Sequence, residues 1–178
     1  MSRTVCNALM LAAFVSLLGG CGLSQTVADA TTSTARAMFY KQVNSLHLDF
    51  SGRAAINTDT TDMSEMSAAT LVRVYQLRDG KVLEKASYDS VLSDDERLLN
   101  TDLLAQQTVV VKPGEGAQVN VPLHKDADCV AVVALFREPD TQRKTWRVLL
   151  TRDDLDPDRA RVIELGDNQL TLRPLAQD

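Results

Sequence analysis

The sequence predicts a mainly β fold, a β-sandwich with a small helical insertion after its second strand. Three observations carry that expectation. Short segments alternate apolar and polar residues, the period-two pattern of a half-buried strand. About seven such strands recur at the spacing of a sandwich, with turn-forming residues between them. Only the region from Lys81 to Gln106 departs, supplying apolar residues at helical intervals.

The first element is a leader. Arg3 gives it a positive start, and Ala8 to Leu18 is an apolar run interrupted only by Ser16. Such a run is too short for a spanning helix and has the build of an export signal that is removed. Leu18-Gly19-Gly20-Cys21 closes it and resembles a lipobox. Small residues let an extended backbone enter a peptidase cleft, and a thiol accepts a diacylglyceryl group. Residues 1–20 are thus expected to be a lipoprotein signal peptide, with Cys21 the lipidated first residue of the mature chain. An ordinary cleaved signal with a coincidental cysteine, or a retained anchor, would share parts of this pattern. The coincidence of charge, length, small residues and cysteine favours lipidation. Acyl chains anchor at about 0.8 kcal/mol per buried methylene, so several together hold firmly. Gly22 stands where Asp often retains lipoproteins at the inner membrane. The expected location is therefore the outer membrane, with the body in the periplasm.

Composition narrows the function classes. The mature chain would hold 158 residues, 178 less 20, enough for one domain and a tether. Its charge becomes −6 once Arg3 leaves, and no dense Lys/Arg cluster remains, which argues against a nucleic-acid partner. With Cys6 removed and Cys21 acylated, Cys129 has no disulfide partner and should be buried.

Residues 21–44 read as the acylated N-terminus and a flexible tether, rich in small and polar residues such as Ser24, Thr31, Thr32, Ser33 and Thr34. Thr34–Val43 carries a weak helical signal. The sandwich domain is expected over residues 45–175. Leu46, Leu48 and Phe50 alternate with polar residues as a first strand. Gly52 to Ala69 is then polar and aperiodic, and loops of that length in a compact domain are usually functional or disordered. Thr70 to Leu77 is the strongest strand, ended by Asp79-Gly80. Leu83, Ala86 and Val91 recur at helical spacing, and Ser93 with Glu96 matches a capping box, giving two short helices over about 82–106. Strand pattern returns at Thr108–Val111 and stops at Pro113-Gly114. It continues through Ala117–Leu123, the fully apolar Cys129–Phe136, and Trp146–Leu150. A last hairpin runs over Arg161–Leu165 and Leu170–Leu172.

Catalytic and metal signatures are missing. Asp154, Asp156 and Asp158 alternate as in a calcium loop, but Arg159 and Leu165 replace the required Gly and Glu. His47 and His124 stand without a Cys/His cluster, so no zinc site is expected. No nucleophile elbow or phosphate loop occurs, Cys129 reads as packing, and no cofactor is predicted.

Several motifs together resemble the TssJ (SciN) family, the outer-membrane lipoproteins of type VI secretion systems. They are the lipobox at Cys21, Asn57-Thr58-Asp59, Val72-Arg73-Val74-Tyr75-Gln76-Leu77, the Ala86–Leu92 helix with Asp95, Asp102-Leu103-Leu104, Lys112-Pro113-Gly114, Val130–Arg137 and Trp146-Arg147. The resemblance spans nearly the whole chain. It implies a transthyretin-like, two-sheet β-sandwich and a structural, non-enzymatic role. The lipoprotein would bind the periplasmic end of the inner-membrane protein TssM, and through it TssL, as one of many copies in an envelope-spanning complex. The family's partner-binding loop maps onto about 54–69, which nominates Asn57, Thr58, Asp59, Thr60, Thr61, Asp62 and Met63. Position 58 departs from the family, which commonly has proline there. A periplasmic ligand-binding or enzymatic lipoprotein on the same scaffold, or an adaptor of another envelope complex, is the alternative, because sandwiches host many functions.

Overall fold

In a computed structural model, residues 43–59 and 66–175 are described. Cys21, the leader, residues 21–42 and Thr60 to Met63 lie outside the described residues.

Eight strands form among the described residues, because both arms of the closing hairpin are strands. β1 (Ser45–Gly52), β4 (Gly116–Pro122), β7 (Arg161–Gly166) and β8 (Gln169–Leu172) make one sheet in the order β4-β1-β7-β8. β2 (Thr70–Leu77), β3 (Leu103–Val111), β5 (Cys129–Leu135) and β6 (Arg147–Thr151) make the other, in the order β3-β2-β5-β6. Neighbours run antiparallel, except that β1 lies parallel to β7 with Leu48 opposite Arg161. The period-two pattern explains the layering. Leu46, Leu48 and Phe50 of β1 point into the core, as do Val72 and Val74 of β2. Gln76 shares that inner face. Its amide donates to Pro122 O (2.9 Å), and its carbonyl accepts from His124 N (2.7 Å), tying the two sheets at one end. β5 is buried from Cys129 to Ala134 because the opposite sheet covers one face and two helices cover the other.

Those helices are α1 (Lys81–Lys85) and α2 (Tyr88–Leu99). The cap of α2 is Ser87, whose hydroxyl accepts from Ser90 N (3.2 Å), and not Ser93. A second helix start does occur near Ser93. The backbone breaks at Asp94 (φ −159°, ψ 73°), and the Asp94 carboxylate accepts from Arg97 N (3.1 Å). Ser93 instead donates to Asp89 O (2.6 Å). The capping signal was thus one residue out of place.

The helical insertion is also shorter than 82–106. Leu103 to Gln107 belong to β3, which begins five residues before Thr108. β3 is an edge strand, and adjacent leucines followed by adjacent glutamines give it no alternation to read. A register shift opposite Gln76/Leu77 disturbs the pattern further.

The outer face of β2 holds the helices. Tyr75 Oη donates to Asp95 Oδ2 (2.6 Å), Arg73 Nη1 pairs with the same oxygen (2.9 Å), and Gln106 Nε2 lies 3.5 Å away. Burial first, and the Asp95 hydrogen bond next, hold the Tyr75 phenol well above its ordinary range. From β6, the Arg147 guanidinium donates to the carbonyls of Leu83, Glu84 and Ala86, satisfying the end of α1. Cys129 is buried as expected. Burial pushes its thiol up to about 11, and a Cβ added to Gly80 would sit 2.8 Å from its sulfur.

Candidate protein-binding site

The segment between β1 and β2 leaves the first sheet at Gly52 and joins the second at Thr70. Its two ends are held together by a set of hydrogen bonds centred on Asn57. Asn57 has a positive φ of 50°, which asparagine tolerates better than most residues, and is only 5% exposed. Its side-chain oxygen accepts from Arg137 N (2.7 Å), and its Nδ2 donates to Ala69 O (3.3 Å) on the returning limb. Arg137 closes the bracket. Its Nη2 donates to Asn57 O (2.7 Å) and to Met66 O (2.9 Å), one carbonyl on each limb, and its Nε adds a third bond to Asn57 O (3.2 Å). Ala68 N donates to Ile56 O (3.2 Å), and fully buried Ile56 anchors the outgoing limb in the core.

The β7–β8 hairpin braces the outgoing limb. Asp167 and Asn168 form its two-residue turn with φ of 50° and 57°. Asn168 then pairs edge-on with the loop backbone. Thr58 N donates to Asn168 Oδ1 (3.0 Å), and Asn168 Nδ2 donates to Thr58 O (2.9 Å). Asp167 N donates to Ala55 O (3.1 Å) and Arg53 N to Leu165 O (2.8 Å). This explains how the loop does without proline at position 58. Proline would fix φ there but has no N–H to give Asn168. At the root of the loop, Glu164 receives Arg173 (2.6 Å) and Arg53, and these guanidiniums, Arg173 foremost, hold its carboxyl below the usual glutamate range.

Of the nominated residues, Asn57 is thus a buried positioning residue. Thr58 and Asp59 are half-buried beside it, and Thr60, Thr61, Asp62 and Met63 lie outside the described residues. Beyond them, Met66 is 67% exposed on the returning limb. Arg137 and Asn168 are site residues that the sequence did not nominate. The only local signal was the turn chemistry at Asn168, which speaks of a hairpin and not of a loop brace.

Elsewhere, the three alternating aspartates are engaged in their own turns. Asp154 accepts from Thr151 N and Oγ1 (both 2.8 Å), and Asp156 accepts from Asp158 N (2.8 Å) and Arg159. Among the described residues no group of three or more His, Cys, Asp or Glu could hold a metal ion.

Comparison with known proteins bears on this geometry. Residues 44–172 match the family described as "Type VI secretion lipoprotein, VasD, EvfM, TssJ". No curated protein matches in sequence. Among solved structures, the chain is similar to one described as "T6SS protein TssM C-terminal domain (869-1107) from EAEC". The identity is 38%, the TM-score 0.68, and the match covers 75% of this chain and 100% of the other. A chain of a "Type VI membrane complex" is 41% identical, with TM-score 0.70 and coverage of 75% and 100%. The T6SS lipoprotein TssJ1 from Pseudomonas aeruginosa is 22% identical, with TM-score 0.60 and coverage of 75% and 98%, and supports the fold.

Proposed function

The chain belongs to the type VI secretion lipoprotein family, and from that premise we propose that it anchors the periplasmic part of TssM to the outer membrane. The observation that carries this reading is the loop between β1 and β2. A non-catalytic binding loop needs a stiff base so that little conformational entropy is lost on contact. The Asn57–Arg137–Asn168 bracket supplies that base. Thr58 to Met63 then present the contact surface. The likeness to chains from structures described as a TssM domain and a type VI membrane complex supports TssM as the partner. TssL would be reached through TssM, and the protein would act as many copies in the assembled complex.

Cys21 carries the lipid. Acyl chains confine the domain near one membrane and raise its effective concentration for a partner that crosses the periplasm. The protein performs no catalysis in this role. Its one thiol in the sandwich is buried with its pKa raised to about 11, the reverse of an activated nucleophile. Cys21→Ser should release the protein from the outer-membrane fraction into the soluble periplasm. The variant should stay folded and bind TssM but fail to support secretion, as fractionation and a secretion assay would read. Retention in the outer membrane would contradict Cys21 as the anchor.

A further inference from the structure

β3 is the long open edge of the second sheet. Among the described residues it pairs with β2 alone, so its other side carries a row of unpaired main-chain donors and acceptors. Natural sheets blunt such edges by shortness, by proline or by charge. The other three edges follow that rule. β8 has four residues, β6 has five and begins at Arg147, and β4 ends at Pro122. β3 has nine residues, with no proline and no charge among them. Its register with β2 slips only at Leu104, so Ala105 to Val111 form seven consecutive one-to-one pairs. Gln107 and Thr108 are exposed, and Val110 is 54% exposed.

An added strand satisfies a row of main-chain groups of this kind, and the residues of the edge point to which strand. Set antiparallel to a second copy of itself about Thr108, the regular part of β3 matches end to end. Thr108 faces Thr108, Gln107 faces Val109, Gln106 faces Val110 and Ala105 faces Val111. Threonine opposite threonine is a favourable cross-strand pair, and no like charges meet. The exposed Val110 of each copy is covered by the Gln106 stem of the other. Such self-complementarity is what a two-fold interface requires. The helices leave room for it. α2 bonds Arg73 and Tyr75 of β2, one strand in from the edge. In a joined sheet the two β2 strands would lie three spacings apart, about 14 Å, more than the helix diameter of about 10–12 Å. We propose that β3 pairs with β3 of a second copy of this chain, joining two four-stranded sheets into one across a dimer. Seven residues from each copy make a small interface, so the dimer is a reversible one. The inference does not depend on the TssM-binding reading.

Sedimentation of the full-length protein in density-matched mild detergent, from micromolar concentration to about 1 mM, tests the pairing. Wild type should show a reversible monomer–dimer equilibrium. Thr108→Lys sets two lysines opposite each other on the axis and should weaken the dimer by about tenfold or more, as should Thr108→Glu. An equimolar mixture of the two variants should recover it. Thr108 is exposed, so both variants should keep the wild-type melting temperature. Opposed residues in an antiparallel pair have Cα atoms about 4.5–5.5 Å apart, within disulfide range. Thr108→Cys should therefore form a linked dimer on mild oxidation, whereas Thr171→Cys, exposed on β8, should not. A wild-type protein still monomeric at about 1 mM, a dimer untouched by Thr108→Lys, or a mixture that fails to recover would overturn the proposal. A monomeric wild type whose TssM binding is weakened by Thr108→Lys would also overturn it, and would assign the edge to TssM.

Discussion

Asn57→Ala should lower the stability of the domain by about 3 kcal/mol, because three separate losses fall on one residue. The substitution leaves Arg137 N and Ala69 O without their partners in a part-buried place, each costing about 1 kcal/mol or more. It also puts a Cβ without a compensating side-chain bond at a φ of 50°, where alanine is disfavoured by about 1 kcal/mol. The melting temperature should fall by roughly 6–12 °C. Asn57→Gly separates the contributions. Glycine accepts the backbone angle, so it should recover about 1 kcal/mol of the loss while leaving both hydrogen bonds unmade. A thermal melt of Asn57→Ala within about 2 °C of wild type would show that the bracket does not hold the loop. The destabilising sign matters for function. Substitutions at the base should loosen the loop and also cost stability, whereas substitutions at its crest should touch the partner alone.

The second large effect lies on the outer face of β2, where α2 packs. Asp95→Ala removes the oxygen that Tyr75, Arg73 and Gln106 all approach. The Arg73 charge is then left mostly buried and the Tyr75 hydroxyl loses its acceptor, so a loss of about 2–4 kcal/mol is expected. Tyr75→Phe deletes one hydrogen bond and should cost about 1 kcal/mol. Because both changes act on the same bond, the double variant should be less destabilised than the sum, by about 1 kcal/mol in a denaturant-melt cycle. Strict additivity, or an Asp95→Ala melt within about 0.5 kcal/mol of wild type, would show that α2 docks by apolar packing alone.

These two sites also show what was legible beforehand. The alternation in Thr70–Leu77 revealed the strand, and its structure explains why the motif is so particular. Val72, Val74 and Gln76 face the other sheet, while Arg73 and Tyr75 face Asp95 of the helix. The fully apolar Cys129–Leu135 revealed a strand covered on both sides. Edge position hid the first half of β3, since a strand paired on one side needs no strict alternation. The Ser93–Glu96 pattern found a real helix start but missed the cap by one residue, because Asp94 competes for the same role. The length of the 54–69 loop was legible. Its bracket was not, because Arg137 and Asn168 lie 80 and 110 residues away from their partners in the loop. Nor could the threonine at position 58 be understood until its N–H was seen to bond Asn168.

In the proposed role, the loop between β1 and β2 grips TssM while the bracket at its base keeps it in place. The most direct measurement is the affinity of the full-length protein, in detergent, for the TssM periplasmic domain of the same secretion system. Wild type is compared with a variant in which Thr60, Thr61, Asp62 and Met63 are replaced by a Gly-Ser-Gly-Ser segment. Binding should weaken by about tenfold or more, with the melting temperature unchanged. Equal affinity in the two proteins would contradict that role.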